Sequence, residues 1–185
     1  MRYRMLMMLA GVLLTAAAAS AQTEMKEYVS AEGRFRVLMP GTPTIETQNV
    51  TYADSNASAT MYMASVDLGD DATYAVSYYD YPPGVANGTP EQILAQARDA
   101  SISGKTLVWD VPIALGRVPG RAYRAVLGDG NVMEFRIYLV GQRLYSMVVG
   151  ATPKLFDGLD RKTFFDSFTI DGSVTSVDDS ERGRK

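Results

Sequence analysis

The chain of 185 residues contains no histidine and no cysteine. The missing histidine removes the Ser-His-Asp triad, histidine-bound zinc and an imidazole general base together. The missing cysteine removes thiol catalysis, thiolate-bound zinc, iron–sulfur clusters and disulfide staples. Without disulfides the fold must rest on its hydrophobic core, and the roughly 150 residues between the terminal segments are enough to bury one. Long apolar runs are also lacking. After residue 21 no stretch approaches the ~20 apolar residues that a membrane-spanning helix needs.

The first 21 residues read as a secretory signal. Arg2 and Arg4 give a basic start, "MLMMLAGVLLTAAAA" is a short apolar centre, and Ala19-Ser20-Ala21 places small residues at −3 and −1 of a cut before Gln22. A membrane anchor is the alternative, but the apolar run is too short for a span. No cysteine follows the cut to carry a lipid. Without Arg2 and Arg4, 18 basic residues become 16 against 21 acidic ones, a net charge of −5. That balance argues against nucleic acid, whose binding depends on neutralising phosphates, and against an anionic membrane surface. The expectation is a secreted or periplasmic protein whose partner is another envelope or extracellular protein.

Residues 22–27 form a polar leader, 28–171 a single domain, and 172–185, "GSVTSVDDSERGRK", a disordered tail with too little apolar content to fold. Within the domain, "KEYVS" and "RFRVLMP" flank a turn and alternate with period two, as strands do. Pro40-Gly41-Thr42-Pro43 ends that unit. "TIETQNVTYAD", "ASATMYMASVDL" and "ATYAVSYYDY" read as three more strands. Thr89 is a helix N-cap with Pro90 at the first helical position. Ile93, Ala97 and Ala100 then fall on one face, and Gly104 is the stop. Four strands follow: "KTLVWDVPIAL", "GRAYRAVLG", "NVMEFRIYLV" and "RLYSMVVGA". In the third, Met133, Phe135, Ile137 and Leu139 alternate with Val132, Glu134, Arg136 and Tyr138, the pattern of an antiparallel sheet with one wet face. A short closing helix carries Phe164, Phe165 and Phe168 inward. Runs of strands with two segregated helices make an α+β class: a twisted antiparallel sheet of about six to nine strands packed by two helices.

Several motifs hint at chemistry without completing it. Gly104-Lys105-Thr106 ends like a P-loop, but Asp99 stands where the first glycine is required, and the tripeptide follows a helix rather than opening one. Ser103 and Lys105 lack the S-x-x-K spacing, and G-x-S-x-G is absent. A carboxylate pair across a cleft would suffice for a glycosidase, but the sequence does not show which acids converge, so most are expected to be solvated. Tyr74 and Tyr78-Tyr79-Asp80-Tyr81 offer a stacking platform. On a strand, Tyr78 and Tyr79 point to opposite faces, whereas Tyr79 and Tyr81 share one. Core or edge packing is the competing use. The Thr60-Met61-Tyr62-Met63 strand suggests a carrier for a small apolar ligand, which requires a deep greasy pocket. Asn49, Asn56 and Asn87 sit in N-x-S/T triplets. These would matter in a eukaryotic secretory path and mean nothing in a bacterium, which a secreted chain without cysteine suits better.

The segment from Tyr28-Val29-Ser30 through Gly33-Arg34-Phe35-Arg36-Val37-Leu38-Met39-Pro40-Gly41-Thr42-Pro43 resembles the start of PsbP-like domains, above all uncharacterised secreted bacterial members. Pro119-Gly120-Arg121, the hairpin from Arg136 to Tyr145 and the closing Phe164-Phe165-Asp166-Ser167-Phe168 complete the pattern. The resemblance implies an α/β/α sandwich and a binding or accessory module rather than an enzyme. PsbP is an extrinsic subunit of photosystem II, and a Ran-binding nuclear-import factor is similar in fold. The matched motifs are structural, so no catalytic, cofactor or metal residue is carried over. The expected function is an exported non-enzymatic module without a cofactor. The alternatives are the apolar-ligand carrier and the carboxylate-dependent hydrolase.

"Gly128-Asp129-Gly130-Asn131" places an acid between two glycines, with Glu134 close behind. A calcium loop needs oxygens at alternate positions over about twelve residues with a closing glutamate, and here only Asp129 and Asn131 are well placed. Asp-Gly between alternating strands is instead a hairpin signal, giving a three-strand meander from Arg121 to Val149. Divalent metal is therefore expected to leave the thermal midpoint unchanged. A metal-induced rise abolished by Asp129→Ala would show that the loop is a site.

Overall fold

The computed structural model describes residues 24–52 and 56–171; the expected signal peptide and the tail from 172 lie outside them. Among the described residues, ten strands and three helices follow in the order β1 (Lys26–Ser30), β2 (Phe35–Met39), β3 (Thr44–Tyr52), β4 (Ala57–Asp67), β5 (Ala72–Asp80), α1 (Pro90–Ser101), β6 (Thr106–Leu115), β7 (Val118–Val126), β8 (Val132–Val140), β9 (Arg143–Ala151), α2 (Pro153–Phe156), α3 (Arg161–Asp166) and β10 (Thr169–Ile170). β1 begins at Lys26, so the leader expected over 22–27 gives way to the fold earlier than that boundary.

Seven strands form one antiparallel sheet in the order β3-β4-β5-β9-β8-β7-β6, and β1-β2-β10 form a second. The large sheet is two antiparallel runs joined at one seam. β3, β4 and β5 follow one another, as do β6 to β9, and β5 pairs β9 from Ala72↔Ala151 to Asp80↔Arg143. The α+β class and the antiparallel sheet hold. What the pattern did not separate is the second sheet, because β1 and β2 alternate like any half-buried hairpin.

Each face of the large sheet has its own core. On one face lies the small sheet with α3. Phe35, Val37 and Met39 of β2 pack with Tyr74, Val76, Tyr145, Met147 and Val149, and Phe164, Phe165, Phe168 and Ile170 complete the cluster. Phe35, Phe164 and Phe168 are each at most 1% exposed. Burying such a side chain stabilises by about 1.5–3 kcal/mol against leaving it in water. On the other face α1 sets Ile93 and Leu94 against Tyr123, Phe135, Ile137, Leu139 and Leu144. Phe135, Ile137 and Leu139 therefore share a face as their alternation predicts. The opposite face is not wet, however: Tyr138 is 3% exposed and stacks on Phe168 at 5.7 Å.

α1 starts where its sequence says. Thr89 caps it, accepting from Gln92 N while the Gln92 side chain accepts from Thr89 N at 2.9 Å, a capping box. Its inner face differs from the expectation. Leu94 is buried and Ala100 is exposed, because the inner edge is polar. The Ser101 hydroxyl shares a 2.8 Å hydrogen bond with the Tyr123 hydroxyl, and Arg98 pairs with Asp110 of β6. A partnered arginine and serine hold the helix face where apolar counting expects alanine.

Between β7 and β8 the chain turns through Gly130 at φ 89°. Gly130 N donates to Leu127 O at 2.9 Å. Asp129 accepts at 3.0 Å from the Asn131 backbone with one oxygen and at 3.0 Å from the Asn131 amide with the other. This is the expected hairpin corner, closed by an Asx contact.

Tyr62, Tyr78, Tyr145 and Tyr138 are cross-strand partners in successive strands, and the row ends at Gly120 of β7 opposite Tyr138. A Cβ at Gly120 would lie 2.5 Å from the Tyr138 ring and 2.7 Å from Ile137 O, so the ring lies where a side chain would stand. Gly120→Ala should destabilise the protein by about 1–3 kcal/mol, the cost of overpacking a filled site. Denaturant titration checks this; an unchanged midpoint would show that the ring moves aside freely.

Candidate functional site

The exposed end of this tyrosine row meets the turn between β1 and β2, and the charged groups there converge on Arg143. Its Nε donates to Asp80 Oδ1 at 2.8 Å and its Nη2 to Asp80 Oδ2 at 2.7 Å, a bidentate pair, while Nη1 donates to Glu32 O at 2.9 Å. Asp80 and Arg143 are the last register pair of the β5–β9 seam, so sheet pairing alone puts them opposite each other. The guanidinium carbon lies 5.0 Å from the centre of the Tyr78 ring, and Tyr78 stacks on Tyr62 at 5.1 Å and 11°. Arg143, Tyr78 and Tyr62 thus form a ladder from the seam toward solvent, where Tyr62 is 37% exposed.

The turn that closes the other side is tightly built. Gly33 N donates to Ser30 Oγ at 3.0 Å, and the Tyr145 hydroxyl donates to Gly33 O at 2.8 Å. A Cβ at Gly33 would lie 2.5 Å from the Phe35 ring and 2.7 Å from Ser30 Oγ, so no other residue fits there without movement. Two clefts flank Arg143. One, of about 300 Å³, is lined by Glu32, Thr60, Tyr62, Tyr78, Tyr79, Asp80 and Arg143. The other, of about 440 Å³, shares Glu32, Asp80 and Arg143 and adds Gln142 and Asp171 among others.

Electrostatics hold Asp80 and Arg143 as a charged pair. The hydrogen bond from Arg143 holds the Asp80 carboxyl below its ordinary range, burial opposing it only in part. Arg143 is held above its own range first by the same contact. Burial raises the Tyr78 hydroxyl, and the Glu32 charge adds to the rise. Asp80 is therefore a fixed anion and cannot donate a proton near neutrality. Among the described residues the Glu32 carboxylate makes no ion pair, whereas Asp171 pairs with Arg36 at 3.5 Å.

The other charge clusters are structural clamps. Asp110 bridges Arg98 and Arg121, the latter at 2.6 Å, between α1 and the β6–β7 edge. Beside it the Tyr123 hydroxyl is pushed up to about 12 by burial. On the opposite face Glu134 holds Arg124 at 2.8 Å and Arg161 at 3.6 Å, and both guanidiniums lie over Phe156, at 4.9 and 4.0 Å.

The sequence candidates fall as follows. Gly104 and Lys105 leave α1 for β6, Gly104 at φ 74°, with Lys105 Nζ donating to Ser101 O at 2.7 Å. This is a helix exit entering a strand. Glu134 pairs with Arg124 and lies outside the Asp129–Asn131 turn. Tyr78 and Tyr79 do face opposite ways. Tyr79 stands with Tyr81 at 5.1 Å, and Tyr81 with Tyr52 at 6.0 Å. That group packs under the helix-side core rather than forming an open platform. Burial, with neighbouring Tyr81 adding to it, holds the Tyr79 hydroxyl far above its ordinary range. The strand Thr60–Met63 does border a cleft, but Glu32, Asp80 and Arg143 line it as well. Asn49, Asn56 and Asn87 are all exposed. Sequence reasoning missed Glu32, Tyr62 as the stacking partner of Tyr78, and the Asp80–Arg143 pair. The last depends on a register between residues 63 apart, for which no local pattern exists.

No family model and no curated protein matches the sequence. Solved structures do match. The solution structure of cyanobacterial PsbP (CyanoP) from Synechocystis superposes with a TM-score of 0.51 at 14% identity, covering 85% of this chain and 98% of that one. The chain thus has the PsbP-like fold, as its sequence pattern implied. LpqN, involved in cell envelope biogenesis of Mycobacterium tuberculosis, matches with a TM-score of 0.44 at 14% identity over 80% and 91% of the two chains. A Pseudomonas aeruginosa protein of unknown function, a putative regulator, matches with 0.37 at 12% over 72% and 87%.

The depressed Asp80 carboxyl makes a directional claim. A group whose folded pKa lies below its unfolded value of about 3.9 stabilises the fold above that pH, and its contribution disappears as pH falls through the folded pKa. Asp80→Asn should therefore lower stability at neutral pH and flatten its fall below about pH 4. Denaturant midpoints measured from pH 7 down to pH 2 check this; an acid limb identical to that of the unmodified protein would show that the pair is uncoupled from folding.

Proposed function

We propose that the chain is an exported, non-enzymatic binding module of the PsbP-like kind that docks an envelope or extracellular protein through the cleft beside Arg143. The observation that carries this reading is saturation of the cleft's charges. Arg143 holds Asp80 through both carboxylate oxygens and the β1–β2 turn through Glu32 O. A glycosidase requires one carboxyl to act as an acid and a second as base or nucleophile. With both Asp80 oxygens engaged by Arg143 and Asp171 paired to Arg36, the cleft leaves Glu32 as its one carboxylate without an ion pair among the described residues. The carrier reading loses its support as well, since the core on one face of the large sheet is filled by Val76, Met147, Val149 and Phe164, all 0% exposed, and that on the other by Tyr123 and Leu94, at 0% and 2%.

Export rests on the basic, apolar and small-residue sequence of residues 1–21, with cleavage between Ala21 and Gln22. No helix among the described residues is long and apolar enough to cross a membrane.

A photo-reactive residue in place of Thr60, on the cleft, should give a discrete cross-linked protein product in the native envelope. One in place of exposed Ser103, at the end of α1, should not. Failure of the Thr60 probe to cross-link above a tagged control would overturn the reading.

A further inference from the structure

The ladder beside the cleft stops one rung short. Arg143 lies over Tyr78, Tyr78 stacks on Tyr62, and Tyr62 is 37% exposed with its ring on the cleft. Aromatic faces attract cations, guanidiniums above all, since these are planar and weakly hydrated. The protein itself uses that contact at the inner end of the ladder. Glu32 lines the same cleft as Tyr62 and makes no ion pair among the described residues, although its backbone carbonyl is tied to Arg143. Of the three charged groups there, Asp80 and Arg143 neutralise each other and Glu32 leaves one negative charge over.

We infer that Tyr62 and Glu32 form a seat for one arginine side chain of a partner protein, its guanidinium stacked on the Tyr62 ring and paired with the Glu32 carboxylate. This rests on the docking role proposed above and names its chemistry. Charge favours a cation over a neutral sugar, because a sugar would leave the Glu32 charge unmatched in the interface. Planarity favours arginine over lysine, because the fork can meet a carboxylate through two N–H groups while its face lies on a ring. The excess of 21 acidic over 16 basic residues outside residues 1–21 adds attraction for a basic partner.

The test is a titration of the 15N-labelled chain with blocked Gly-Arg-Gly, Gly-Lys-Gly and Gly-citrulline-Gly peptides and with chitotriose, followed by amide shifts. The arginine peptide should give saturable shifts at Glu32, Gly33 and Tyr62, and citrulline, which is planar but uncharged, should bind at least about fivefold more weakly. Tyr62→Ala and Glu32→Gln, both at exposed positions, should each weaken the arginine peptide by about fivefold while leaving shifts around α1 unchanged. Equal binding of arginine, lysine and citrulline, or saturation by chitotriose alone, would overturn the inference; the second result would mark a sugar platform. The two proposals also separate. If Tyr62→Ala and Glu32→Gln still cross-link the envelope product from Thr60, the arginine seat is wrong and the docking module stands. If the unmodified protein cross-links nothing, the docking module falls, and the peptide titration still decides the seat.

Discussion

The β5–β9 seam is the pairing on which the rest of the structure depends. Without it, β3-β4-β5 and β6-β7-β8-β9 would be two separate antiparallel runs, each exposing an unpaired edge. With it, a seven-stranded sheet offers two complete faces, one for α1 and one for the small sheet with α3. The pairing is also demanding. A slip of one residue would send Tyr74, Val76 and Tyr78 to the face that α1 covers, and the Asp80–Arg143 pair at its end would be lost.

The cleft is a by-product of that register rather than a separate construction. Tyr62, Tyr78, Tyr145 and Tyr138 are opposite one another because four strands pair in step. Tyr145 of that row then meets the β1–β2 turn, its hydroxyl donating to Gly33 O, while Arg143 holds Glu32 O. Fixed charges set on paired strands suit recognition, because little side-chain freedom is left to lose on contact. They suit proton transfer poorly, since an aspartate held by two guanidinium N–H groups has no reason to change its protonation near neutrality.

What the sequence revealed and what it hid divide along the line between local and distant constraints. Thr89, Pro90 and Gln92 act within one helical turn, and the helix start is legible in them. Asp129 and Gly130 act within a hairpin, and so is the turn. Phe135, Ile137 and Leu139 declare their common face through period two. The same alternation could not show that Tyr138 is covered as well, because its cover, Phe168, comes from 30 residues later in the chain. Nor could it place Ala100, since the polar partners that turn Arg98 and Ser101 inward sit on β6 and β7. The cleft was the least legible part. Each of its defining contacts joins strands distant in sequence, and Glu32 and Arg143 look singly like ordinary surface charges.

The small sheet joins the first and last strands of the described residues: β2 lies between β1 and β10. Phe35, Val37 and Met39 find their cover in Phe164, Phe168 and Ile170, and the turn after β1 is fastened through Gly33 and Glu32 to Tyr145 and Arg143, across 112 and 111 residues. A chain still emerging from the ribosome therefore cannot finish this layer before Phe164, Phe168 and Ile170 have been made. The β1–β2 hairpin stays without its lid through the synthesis of the whole seven-stranded sheet, so the order of synthesis closes this layer after the sheet it covers.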